Sequence, residues 1–133
     1  MTANFLFKAG ILVLGMQIYG CSPPVISFSS DVQPIFEEHC IECHDSGGEG
    51  VVTSGFSVLS YDSIMKGTKF GRVIVPGSSM SSALYLVVAG KSAPEIQMPP
   101  HHTQAWAEGR GSPIADDEIK IIQTWIDQGA QDN

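Results

Sequence analysis

The hydrophobic pattern has two textures. Residues 9–20 read AGILVLGMQIYG, an apolar run without a charge. Beyond residue 31 the apolar positions turn periodic. In residues 31–44, DVQPIFEEHCIECH, the positions Val32, Ile35, Phe36 and Cys40 fall at helical spacing, with Cys43 beyond them. Asp31 can cap this helix, and Pro34 lies near the first turn, where proline is tolerated. In residues 115–129, ADDEIKIIQTWIDQG, a second stripe runs through Ile119, Ile122, Trp125 and Ile126. Asp116, Asp117 and Glu118 crowd its start, as the helix dipole favours, and Gly129 is a stop. Two amphipathic helices at opposite ends of a chain are expected to pack on one another, here with Phe36 meeting Trp125. Two shorter helices are expected between them. One is at 60–66, closed by Gly67. The other is at 79–88, closed by Gly90, although its β-branched end could also be strand-like. Residues 45–55 and 103–113 are rich in glycine and polar residues and read as loops. Met65 and Met80 sit in the apolar stretches and are expected in the core, and His39 is expected to face solvent.

A chain of 133 residues with no internal repeat suits a single domain. The run at 9–20 is too short to span a bilayer and has the length of a signal-peptide core. Lys8 is the only charge before Asp31, and the run ends at Cys21 after Ile18-Tyr19-Gly20. This resembles a bacterial lipoprotein signal, cut before a cysteine that then carries lipid. An ordinary cleaved signal and an uncleaved anchor are the alternatives. The expected organisation is therefore a signal at 1–20, a Pro/Ser tether at 21–30 with Cys21 as the lipidated residue, and a domain at 31–133. All three readings place the domain outside the cytoplasm, on the periplasmic or cell-surface side, and the lipid would hold it to the membrane.

If Cys21 takes lipid, two cysteines remain, in Cys40-Ile41-Glu42-Cys43-His44. C-x-x-C-H is the spacing of c-type haem attachment. Two thiols one helical turn apart can add across the two vinyl groups of one haem, and the next residue supplies an imidazole to the iron. Covalent tethering secures a cofactor that a small domain cannot fully enclose. Zinc held by Cys40 and Cys43 with two of His39, His44, His101 and His102 is a competing reading, as is a redox dithiol or plain disulfide. A thioredoxin-like dithiol would need a surrounding βαβ pattern, which the sequence lacks.

A sixth iron ligand must come from elsewhere. Met98, in Gln97-Met98-Pro99-Pro100, is the candidate. Two prolines make this stretch extended and stiff, suited to holding a thioether over an open haem face. Sulfur favours reduced iron and raises the potential relative to two histidines. His101 and His102 lie close enough to compete, and an open site is the third option. Arg72, Lys69 and Trp106 are candidates for hydrogen bonds to haem propionates. Phe56, Tyr61 and Tyr85 are assigned to the haem pocket or the core.

Residues 31–130 resemble the class I cytochrome c fold and, more narrowly, the bacterial domains known as planctomycete-type cytochrome c. The resemblance rests on Val32-Gln33-Pro34-Ile35-Phe36 before the Cys-His motif, Ile74-Val75-Pro76-Gly77 before a helix, Met98-Pro99-Pro100, and the closing stretch from Asp116 to Ala130. It implies an all-α fold with the N- and C-terminal helices crossing and the haem in a cleft. It also implies one haem c, His/Met-ligated iron, and electron transfer. Phe36 matches the aromatic that precedes the first haem cysteine in such domains, and Trp125 the aromatic it packs on. Ala115 stands where such domains have a Thr or Ser cap, leaving Asp116 to cap the last helix. The stretch at 101–113 is longer than the pattern.

The formal charge of −7 argues against nucleic acid, whose phosphates need clustered Lys and Arg. It suits a redox partner protein with a basic docking face. The function expected is that of an electron carrier rather than an enzyme. The alternative is a haem sensor, or an accessory haem domain of a periplasmic oxidoreductase, with a labile sixth ligand. No distal acid–base constellation supports peroxidase chemistry.

Overall fold

The computed structural model describes residues 23–100 and 112–133. Cys21, His101, His102, Trp106, the signal and most of the 103–113 loop lie outside them. The described residues form helices and turns with no strand, only an isolated bridge between Thr68 and Gly71. In chain order they are a π-helical turn at Phe28–Val32, α1 at Gln33–His39, α2 at Ile41–His44, α3 at Glu49–Ser54, α4 at Tyr61–Lys66, a 3-10 turn at Ser79–Ser81, α5 at Ala83–Val88, a 3-10 turn at Pro94–Ile96, and α6 at Asp116–Asp127. None of these helices is long and apolar enough to cross a membrane.

The packed structure begins earlier than Asp31. Ser27 and Asp31 cap each other's turn: the Ser27 N–H donates to Asp31 Oδ2 at 2.8 Å, while Ser27 Oγ accepts from the Ser30 N–H. The Ile26 N–H donates to Gln128 Oε1 at 2.8 Å, and the Phe28 N–H to Asn133 Oδ1 at 2.8 Å. Residues 26–30, expected as tether, are thus bonded to the C-terminus. Phe28 drives this docking. It is buried and lies 5.5 Å from the Trp125 ring and 5.2 Å, edge-on, from Tyr61. The two ends of the described domain do meet, but through Phe28–Val32. Phe36 is buried in the same core, and the rings against Trp125 are Phe28 and Tyr61.

The expected helix at 31–44 is broken at Cys40, whose φ of −122° leaves helical space. The expected helix at 79–88 is broken at Ser82. This side chain is fully buried, so its hydroxyl must be satisfied internally. It donates to the Ser78 carbonyl at 2.8 Å and accepts from the Val75 N–H at 2.9 Å, which holds its backbone extended. Within 45–55, expected as loop, residues 49–54 form α3, closed by Gly55 at φ 77°. Helix α4 matches its expectation. Ser60 and Ser63 satisfy each other's backbone N–H groups, and Gly67 at φ 84° ends it. At α6 the cap falls elsewhere than expected. Ala115 occupies the cap position and Asp116 is already helical, so Glu118 reaches back to the Ala115 N–H at 3.2 Å. Met65 packs on the core, whereas Met80 is 60% exposed because it sits on the 3-10 turn rather than in a continuous helix.

The 74–79 segment is fastened to the end of α6. The Gly77 N–H donates to the Ile126 carbonyl at 2.7 Å, and buried Ser79 donates to Asp127 from its N–H at 2.7 Å and its hydroxyl at 3.1 Å. Asp127→Ala leaves the Ser79 N–H buried and unpaired. It is expected to cost about 1–3 kcal/mol, read as a lower urea midpoint at unchanged slope. A pH effect is expected at Tyr61, which donates to the Ala130 carbonyl at 2.7 Å. Burial first, then Asp132 and Asp62, raise its pKa above the ordinary 10.0. A raised folded pKa means the contribution is complete below the unfolded pKa and is lost as pH climbs through the folded one. Wild-type stability should therefore fall above about pH 10, and Tyr61→Phe should flatten that alkaline limb.

Candidate haem-attachment site

The geometry begins at the break in the first helix. The Cys40 carbonyl accepts both the Cys43 N–H at 3.2 Å and the His44 N–H at 2.9 Å, so both thiols and the imidazole leave a single turn. Both cysteines are free thiols, not a disulfide. Burial, with Cys43 as the lesser cause, pushes the Cys40 thiol up to about 12. A protonated, half-buried thiol is a poor exchange nucleophile, which counts against the dithiol reading.

His44 is held from two sides. Its Nδ1 lies 2.9 Å from the Phe56 carbonyl, and a carbonyl can only accept, so Nδ1 carries the proton. The Phe56 ring meets the imidazole edge-on at 5.3 Å. Nε2 has no hydrogen-bond partner among the described residues and carries the lone pair, the state of a metal-ligating histidine oriented by a backbone carbonyl. Gly50, in α3, closes the other side. A Cβ there would stand 2.6 Å from His44 Cε1 and 2.8 Å from both Nδ1 and the Cys43 carbonyl oxygen. Neither the Phe56 carbonyl as acceptor nor Gly50 as a close-approach residue is visible in the sequence pattern, although the glycines at 47, 48 and 50 were the available signal.

Met98 follows the turn at Pro94–Ile96. Its N–H donates to the Val87 carbonyl at 3.1 Å, and its half-buried side chain packs on the same core as Cys40. The chain bends at Met98-Pro99 through a cis peptide bond rather than running straight, as expected of two prolines. Lys69 and Arg72, the proposed propionate contacts, are exposed, and the Lys69 ammonium sits 5.2 Å from the Phe70 ring. Tyr85 is buried beneath Lys91. His39 is not solvent-facing as expected. Its Nε2 pairs with Glu118 at 3.1 Å and joins the end of α1 to the start of α6.

The donor set can be tested against the candidate occupants. Among the described residues, the one grouping of His, Cys, Asp and Glu ligand atoms close enough for a bare cation is Glu38, His39 and Glu118. Cys40, Cys43 and His44 do not converge on a point, as tetrahedral zinc requires. Two separate thiols, an imidazole with a free Nε2 and a thioether against apolar core suit a broad apolar group carrying a metal at its centre.

A family model described as Planctomycete cytochrome C matches residues 40–102, from the first thiol of this site to just past Met98. This segment is a cytochrome c-like domain. The cytochrome c-like segment therefore contains Cys40, Cys43, His44, Gly50, Phe56 and Met98, and the family is one of haem-based electron transfer. Its all-α structure agrees with the fold class expected from the sequence. No curated protein and no solved structure gives a significant match.

Proposed function

We propose that the protein is an exported monohaem electron carrier, with haem c bonded covalently to Cys40 and Cys43, His44 as one axial ligand and Met98 as the other. The observation that carries this is the Nδ1-to-Phe56 carbonyl bond on the residue directly after C-x-x-C, which leaves Nε2 as the ligand nitrogen. When bound, the haem supplies a one-electron couple between Fe(II) and Fe(III). The protein's part is to fix the imidazole tautomer, keep water from the half-buried thiol side and present a thioether that favours the reduced state. Support for Met98 is its tie to Val87 and its place on the core shared with Cys40. The apolar run ending at Cys21 supports export and a lipid anchor at that residue, with the domain on the periplasmic or cell-surface side.

Expression in a host with c-type haem maturation, followed by reduced and oxidised spectra, tests the reading. A pigment that survives denaturation, with a weak red-edge band lost in Met98→Ala, is the expected result. Covalent haem without that band, together with carbon monoxide binding by the reduced wild type, would remove Met98 as ligand and favour a sensor. Zinc in place of haem would sink the proposal.

A further inference from the structure

The net charge hides a segregation. Between Asp62 and Glu95 the chain carries Lys66, Lys69, Arg72 and Lys91 and no acid, while the other three cations share the remaining chain with all 14 acids. Three of the four cations flank one tight turn. There the Thr68 N–H donates to the Gly71 carbonyl at 2.8 Å and the Gly71 N–H to the Thr68 carbonyl at 3.1 Å. Thr68 Oγ1 donates to Gly71 O and accepts from the Phe70 N–H, each at 3.1 Å. Gly67 lets the two arms close, since a Cβ there would stand 2.7 Å from Arg72 Cα. These bonds close the turn, and its tip is Phe70, 83% exposed.

An aromatic held out in water on a preformed turn and flanked by cations has the anatomy of an interface anchor with a charged rim. The turn also hangs on the segment that seats His44. The Lys69 N–H donates to the Ser54 carbonyl at 2.9 Å, at the end of α3, two residues before the Phe56 carbonyl that orients the imidazole.

We propose that the turn at 68–71, tipped by Phe70, with Lys69 within it and Lys66 and Arg72 beside it, is the docking surface for a redox partner protein that presents an acidic rim around an apolar pocket. This deepens the electron-carrier reading and rests on it for the partner's redox character. It reverses the expectation drawn from net charge, because a partner senses the charge of the face it approaches. A protein pocket fits better than a lipid surface. A flat anionic membrane would bring the chain's many acids near its own charge, whereas a pocket confines contact to the turn.

The test uses the haem-loaded protein on gold carrying a carboxylate-terminated alkanethiol monolayer. Adsorbed mass, by quartz microbalance, reads docking without reference to haem, and voltammetric current reads electron transfer. The wild type should adsorb at neutral pH despite its negative net charge, and less as salt rises. The triple variant Lys66→Gln, Lys69→Gln, Arg72→Gln should bind about a hundredfold more weakly. On a mixed carboxylate and methyl monolayer, Phe70→Ser should bind about tenfold more weakly. Lys120→Gln, on α6, should change nothing. Adsorption that survives the triple variant, or no adsorption by the wild type, overturns the docking surface. Phe70-dependent binding to phosphatidylglycerol vesicles with none to the monolayer assigns the turn to lipid and also overturns it. Mass uptake with the expected variant losses but no current keeps the binding face and refutes the electron-carrier reading.

Discussion

Trp125→Ala is expected to lower the unfolding free energy by about 3–5 kcal/mol, the range for a buried large aromatic. Trp125 is 1% exposed and packs against both Phe28 and Tyr61. Its Nε1–H donates to the Gln131 carbonyl at 2.9 Å. Truncation removes the ring that Phe28 docks on, so the early turn at Phe28–Val32 should loosen together with α6. Since small domains hold about 5–15 kcal/mol in total, this is a large share. Trp125→Phe keeps a ring and loses the indole N–H, which separates the packing contribution from the hydrogen bond. Its cost should be about 1–2 kcal/mol. Urea denaturation followed by circular dichroism checks both. A Trp125→Ala cost below that of Trp125→Phe would show that the end-to-end packing does not hold the fold.

Gly50→Ala should damage the haem site more than the fold. Two effects oppose each other. Alanine in a helix is favoured over glycine by up to about 1 kcal/mol. Against this, the new Cβ would meet the His44 ring and the Cys43 carbonyl at 2.6–2.8 Å. Overpacking of this kind costs about 1–3 kcal/mol, and a displaced ring also gives up its bond to Phe56. The clash wins because the ring is pinned by that bond and the carbonyl belongs to the backbone. The expected result is a loss of about 1–2 kcal/mol with a weakened axial-ligand band in the spectrum. Gly47→Ala is the control, since a Cβ there meets nothing within 4 Å. It should leave both stability and spectrum unchanged. An equal effect from the two substitutions would show that Gly50 is not a seat for His44.

The candidate residues stand out in the sequence because the proposed attachment chemistry is local. Cys40, Cys43 and His44 are set by a spacing, and Met98 by the prolines after it. What could not be read was how that site is held. The Phe56 carbonyl is backbone, which leaves no mark in composition. Gly50 looked like a loop residue, because glycine signals a turn more often than a close approach inside a helix. His39 looked like solvent-facing surface until α6 brought Glu118 within 3.1 Å.

The same division runs through the whole chain. Periodicity by itself determined the last helix with its Ile122, Trp125 and Ile126 face and the helix at Tyr61–Lys66, because 3.6-residue spacing and local caps act within a few residues; the all-α class came from the family resemblance. Tertiary structure decided the rest. It chose Phe28 rather than Phe36 as the ring beside Trp125. It broke the helix expected at 79–88 at Ser82, whose buried hydroxyl accepts the Val75 N–H, and it paired His39 with Glu118 across 79 residues of chain. Each of these depends on which distant group fills a buried space or satisfies a buried donor, and that is fixed only when the segments meet.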